Sequence, residues 1–137
     1  MHRPGCDPDH MLPTDFLCDF CERSWQETLP FIEGHHGSCI CGECLRAANQ
    51  AVQSIARDGP VPAPAPERTG VTAHAASGSP APLAGHATRH ETACTMCLEV
   101  RDEPGFASAR RAAWICRRCI DQGVRVLSKD RSANWQP

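Results

Sequence analysis

Four C-x-x-C pairs decide what this chain can fold into: Cys18/Cys21, Cys41/Cys44, Cys94/Cys97 and Cys116/Cys119. Two cysteines separated by two residues turn both sulfurs toward one point. Two such pairs supply four soft thiolates in a tetrahedron, the arrangement that a d¹⁰ ion such as Zn²⁺ accepts without competing geometric preference. The pairs fall into two quartets, each with a spacer of the length that marks zinc sites. Two Zn²⁺ ions, one on Cys18, Cys21, Cys41 and Cys44 and one on Cys94, Cys97, Cys116 and Cys119, are therefore expected. Spacing alone leaves open an iron site of rubredoxin type or a redox dithiol. Four protein ligands close the coordination sphere, so the expected role is structural and not catalytic.

The chain needs such a clasp. Its 137 residues would suit one ordinary domain, but only 5% are aromatic and Tyr is absent. Residues 1–13 read as a disordered tail. Residues 14–57 form a first C4 module, 58–90 a disordered Pro/Ala/Gly-rich linker, 91–131 a second C4 module, and 132–137 a tail. Units of about 40 residues rarely stand on a hydrophobic core alone. The linker carries Pro60, Pro62, Pro64, Pro66, Pro80 and Pro82 and has little to bury. As a coil it would span about 30 Å.

The modules are an internal repeat. Leu17-Cys18-Asp19-Phe20-Cys21 aligns with Ala93-Cys94-Thr95-Met96-Cys97, and Ile40-Cys41-Gly42-Glu43-Cys44-Leu45 with Ile115-Cys116-Arg117-Arg118-Cys119-Ile120. After each second pair an amphipathic helix is expected, with Leu45, Ala48, Val52 and Ile55 on one apolar face and Ile120, Val124 and Leu127 on the other. Gly59 and Pro60 stop the first helix. Gly34–Gly37 and Pro104–Gly105 are turn signals, with short strands on either side making a hairpin. The fold class is thus small α+β, zinc-stabilised, a hairpin plus a C-terminal helix in each unit.

Two cysteines remain. Cys39 could exchange with Cys41 as a ligand, but Trp114 holds the matching place in the second copy, so a shared role in packing is expected. Cys6 reads as an idle thiol. His35 and His36 fall in the hairpin turn and His74, His86 and His90 in the linker, all as solvated residues. Asp15, Glu22, Glu27, Asp102 and Glu103 form no recognisable carboxylate pair. No G-x-S-x-G, H-E-x-x-H or Walker A pattern occurs, so no enzymatic activity is expected. Met1–Phe16 holds no apolar h-region and no stretch reaches the ~20 apolar residues of a membrane span. Paired C-x-x-C motifs then suit a reducing, cytoplasmic location.

Taken together, Cys18-Asp19-Phe20-Cys21, Ser24, Phe31-Ile32-Glu33-Gly34, Ile40-Cys41-Gly42-Glu43-Cys44 and Asn49 resemble the C4 zinc-binding domain at the N-terminus of the ClpX unfoldase. The second module keeps the cysteines and Trp114-Ile115 but lacks the Glu and the Asn. The resemblance implies a treble-clef zinc finger that dimerises and docks substrate proteins and adaptor tails. It also implies an AAA+ ATPase, which has no counterpart in this sequence. Two copies in one chain can pair with each other as a pseudo-dimer, since tethering raises effective concentration to about millimolar. Independent beads and an intermolecular homodimer are the alternatives.

The leading functional expectation is a non-enzymatic module that binds a protein partner (an unfoldase, a substrate or an adaptor) in Clp-type regulated proteolysis. Phe20, Trp25, Leu29, Phe31, Trp114 and Val126 are the candidate contacts, with burial in the small cores as their competing fate. Nucleic-acid binding through Arg110, Arg111, Arg117 and Arg118 is the second reading. A formal net charge of -2, made more negative by Zn(Cys)4 centres, counts against it. A thiol/zinc redox sensor is the third.

Overall fold

The computed structural model describes residues 2–7, 9–58, 86–88, 93–130 and 135–137. Gly59 and Pro60, the linker apart from Asp58 and His86–Thr88, and His74 and His90 lie outside the described residues.

In the first unit, β1 (Phe31–Glu33) pairs antiparallel with β2 (Cys39–Cys41), setting Ile32 opposite Ile40. The chain passes directly from β2 into α1 (Gly42–Asp58). In the second, β3 (His86–Thr88), β4 (Gly105–Ala107) and β5 (Trp114–Cys116) form a sheet in the order β3-β4-β5, and β5 runs into α2 (Arg117–Lys129). Each unit is a hairpin followed by a helix, as the repeat requires. The β3 strand falls within the segment read above as linker and covers the outer edge of β4.

The helices form for the expected reason. Leu45, Ala48 and Val52 are buried on α1, as are Ile120 and Leu127 on α2, while Ile55 and Val124 are half-buried. Ile40 and Ile115 fill the hairpins from the strand side. The Gly34–Gly37 turn lies where expected, with His35 and His36 exposed in a short 3-10 turn. The Pro104–Gly105 turn does not. Gly105 begins β4 opposite Cys116, and the hairpin instead turns through residues 108–113. Gly105 is there for close approach: a Cβ would lie 2.3 Å from the Ile115 carbonyl oxygen and 2.7 Å from the Trp114 ring.

The two units share one core. Helix α1 packs against α2 and against β3 and β4 of the second unit. At Gly123 of α2 a Cβ would stand 3.0 Å from Leu45 and 3.3 Å from Ile32, so the helix backbone lies against the first unit. Reciprocal hydrogen bonds join the knuckle of each unit to the hairpin of the other. His35 N–H donates to the Met96 carbonyl (2.9 Å), and Ser108 Oγ–H to the Phe20 carbonyl (2.7 Å). Met96 and Phe20 are equivalent positions of the repeat, and Gly34, next to His35, is equivalent to Ser108 by strand register. Glu22 and Arg111 form an ion pair across the same boundary.

Candidate metal centres

Each quartet is assembled from a knuckle and a helix start, and the two copies agree bond for bond. In the knuckles, Glu22 N–H donates to the Cys18 carbonyl (2.9 Å) and Leu98 N–H to the Cys94 carbonyl (2.7 Å). Glu22 (φ 63°) and Leu98 (φ 61°) are both left-handed, a conformation that costs a residue with a Cβ about 1–2 kcal/mol. The ring is closed by Cys18 N–H on the Arg23 carbonyl and Cys94 N–H on the Glu99 carbonyl, each at 2.9 Å. The middle of each knuckle ties to the hairpin twice. Asp19 N–H donates to the Cys39 carbonyl and the Asp19 carboxylate accepts from Cys39 N–H (2.6 Å). Thr95 does the same with Trp114, through its hydroxyl at 3.1 Å.

Cys41 and Cys116 end the second strands, and Cys44 and Cys119 lie in the first helical turns. The four sulfurs of Cys18, Cys21, Cys41 and Cys44, and the four of Cys94, Cys97, Cys116 and Cys119, each lie within 4.8 Å of one another. Cys18 to Cys44 and Cys21 to Cys41 measure 3.7 Å, and Cys97 to Cys116 3.9 Å. A tetrahedron with Zn–S bonds of ~2.3 Å has edges of about 3.8 Å, whereas a disulfide needs ~2.05 Å. The donor set fits zinc, and each group can hold one ion. Amide donors already face the sulfurs: Cys41 N–H to Cys18 Sγ at 3.4 Å and Cys116 N–H to Cys94 Sγ at 3.3 Å. Such outer contacts orient ligands and offset thiolate charge.

The sulfurs share protons unequally. Cys21 is held far below the usual thiol range by hydrogen bonds from Cys18, Cys41 and Cys44. Cys41 and Cys44 are pushed up, chiefly by donating to Cys18 and Cys21. In the second quartet the bond from Cys119 lowers Cys94 to about 4, and burial raises Cys116 to about 12. Metal binding needs all four sulfurs as thiolates and so displaces the protons shared among them.

Outside the quartets, Arg23 pairs with Glu43 in the first unit. At the matching places of the second, Glu99 stands 4.0 Å from Arg118. The repeat keeps this pair with its signs exchanged.

Cys39 is buried, with its Sγ 3.6 Å from the Gly37 carbonyl, and lies outside the quartet. Burial pushes its thiol up. Cys39→Ala is expected to leave the zinc content at about two per chain and to cost about 1 kcal/mol, the scale of a small core truncation. Metal analysis with a denaturation midpoint checks this, and loss of one zinc would make Cys39 a ligand.

Of the candidate contact residues, Phe20, Leu29 and Trp114 are buried, Trp25 and Phe31 half-buried, and Val126 is 46% exposed. Leu98 and Val100 of the second knuckle are exposed as well. Trp135, for which the sequence leaves open whether it docks anything, is 8% exposed and packs on the first unit. The sequence does not mark Ser108, whose Oγ accepts from the Arg110 and Arg111 amides as it donates to Phe20. It holds no signal for this residue, since counting back from the second cysteine pair sets Gly34 against Ala109 and only the strand register brings Ser108 to that place.

Residues 17–54 match the family model of the ClpX C4-type zinc finger. The quartet at residues 94–119 repeats its frame and fits a tandem copy. No curated protein and no solved structure gives a match. No helix among the described residues is long and apolar enough to cross a membrane.

Proposed function

We propose that this chain is a non-catalytic protein-interaction module, built as a zinc-held pseudo-dimer, that acts as an adaptor in Clp-type proteolysis. Two structural zinc ions, one in each cysteine quartet, hold its halves. The reciprocal contact between the copies carries the reading: Met96 receives His35, Phe20 receives Ser108, and α1 lies along α2. In this arrangement the second copy takes the place that another chain would occupy in an intermolecular dimer. The all-cysteine ligation leaves no open position for substrate or activated water, which supports binding over catalysis. The ClpX-type match over 17–54 points to protein segments as the bound class.

The arginines of the second unit support this reading over nucleic-acid binding. Arg111 pairs with Glu22, Arg117 with Asp121 at 3.1 Å, Arg118 with Glu99, and Arg101 with Glu99. These four arginines share three carboxylates, and side chains so paired resemble solvated surface more than a phosphate track.

The zinc-loaded chain is expected to sediment as a monomer at micromolar concentration and to bind a purified Clp-type unfoldase or its substrates, with binding lost on chelation. Gly34→Val should part the halves, because a Cβ there falls 2.7 Å from the Met96 carbonyl oxygen and 2.9 Å from Met96 Cε, while its other close neighbour, Ser38 Oγ at 2.6 Å, is a side-chain hydroxyl that can rotate away. That variant should dimerise or aggregate. A wild-type dimer at micromolar concentration would refute the internal pairing. A monomer that binds neither unfoldase nor substrate would refute the adaptor role.

A further inference from the structure

The first unit holds a cleft that the zinc frame does not require. Helix α1 begins at Gly42, whose N–H donates to the Pro30 carbonyl at 2.8 Å. At the equivalent place in the second unit, Arg117 N–H donates to the Pro104 carbonyl at 3.1 Å. The same backbone bond therefore forms with an arginine, and glycine is not needed for conformation. What glycine supplies is space. A Cβ on Gly42 would lie 2.7 Å from Cδ1 and Nε1 of Trp135 and 3.0 Å from Pro30 Cγ. The indole rests in that space.

Three further contacts make the fit specific. Trp135 Nε1–H donates to the Gly42 carbonyl at 2.9 Å. The Arg46 guanidinium lies over the ring, 5.6 Å from its centroid, within cation–π range. Arg46 Nε–H donates to the Gln136 carbonyl at 2.8 Å. An aromatic face, an indole donor and the next main-chain carbonyl are thus read by one glycine and one arginine. In the second unit Asp121 stands where Arg46 does, and Arg117 Nε bonds both Asp121 oxygens at 3.1 Å. That side-chain pair takes the position of the cleft, so only the first copy carries it.

We propose that the cleft formed by Pro30, Gly42 and Arg46 is a tryptophan-recognition site which the chain's own Trp135–Gln136 segment holds closed, and which a tryptophan-bearing segment of a partner protein enters by displacement. The proposal rests on the protein-interaction reading and names its site and ligand chemistry. The occupying segment follows closely on α2, which ends at Lys129. A tether that short works at about millimolar effective concentration. With an intrinsic affinity of ~0.1 mM for the tail itself, any competitor would appear about tenfold weaker against the closed site than against the open one.

The test uses the full zinc-loaded chain and a fluorescent peptide with the sequence of residues 131–137. Trp135→Ala is expected to bind the peptide about tenfold more tightly than wild type, with zinc content and helical signal unchanged. Truncation after Asp130 should behave the same way. Adding Gly42→Val to either should abolish peptide binding, and adding Arg46→Ala should weaken it about tenfold. Equal peptide binding by wild type and Trp135→Ala would overturn the proposal, as would peptide binding that survives Gly42→Val. Loss of zinc or helix in both Trp135→Ala and the truncation would also overturn it, making the indole part of the folded core. An unfoldase bound equally by wild type, Trp135→Ala and Gly42→Val would leave the adaptor reading standing and remove this one.

Discussion

Treatment of the zinc-loaded chain with a strong chelator is expected to abolish the α-helical circular dichroism of both units in one transition. The interior is the reason. The largest fully buried side chains are Phe20, Ile40, Leu45, Ile115, Ile120 and Val52, and the rest of that set are cysteine ligands. Leu29, Ala48, Met96, Phe106, Ala113, Trp114, Leu127 and Trp135 are buried as well, and a core of that size over two units leaves little surplus over the chain entropy of ordering it. A structural zinc contributes on the order of 10–16 kcal/mol at neutral pH in finger peptides, as much as the whole stability of an ordinary domain. Acid acts in the same direction, because protons compete with metal for the thiolates. The halves should fail together, since Gly123 of α2 lies against Leu45 and Ile32 of the first unit. Cys44→Ser is thus expected to release one zinc and also to lower the melting temperature of the second unit. A chelated chain with an unchanged far-ultraviolet spectrum would refute this account.

What could be read from the sequence follows from what sets each feature. Ligand spacing and helical periodicity are local, so the quartets, the 45/48/52 face of α1 and the 120/127 face of α2 are visible in one dimension. The 34–37 turn is local too. Features that depend on two distant segments meeting were not visible. Gly105, beside Pro104, has the signature of a turn, yet its role is set by Ile115 and Trp114 across the hairpin. Trp135 sits among polar neighbours near the end of the sequence, and only the fold brings it to Gly42. The candidate contacts show the same limit. Phe20 and Trp114 are apolar and flank ligands, which suits a docking surface and a small core equally; burial places them in the core.

The size order within the two hairpins leads to the second large effect. On β1 and β2 the first unit has Phe31 and Cys39; at the matching register the second has Gly105 and Trp114. Large and small have changed strands. Gly105→Ala should therefore destabilise the second unit by about 3 kcal/mol, the upper range for overpacking. The added carbon meets both the Ile115 carbonyl oxygen at 2.3 Å and the Trp114 ring at 2.7 Å. Relief requires β5 to move, and β5 carries the ligand Cys116 at its end, so zinc affinity of the second quartet should fall with stability. Trp114→Cys alone should also destabilise, by leaving a cavity. The double variant removes the ring that the added carbon meets and should lose less than the sum of the singles, by a coupling of about 0.5–3 kcal/mol. Denaturant midpoints and metal competition on the four chains measure it. Strict additivity would mean that the backbone contact alone excludes a side chain at 105 and that the exchange of sizes between the strands has no energetic meaning.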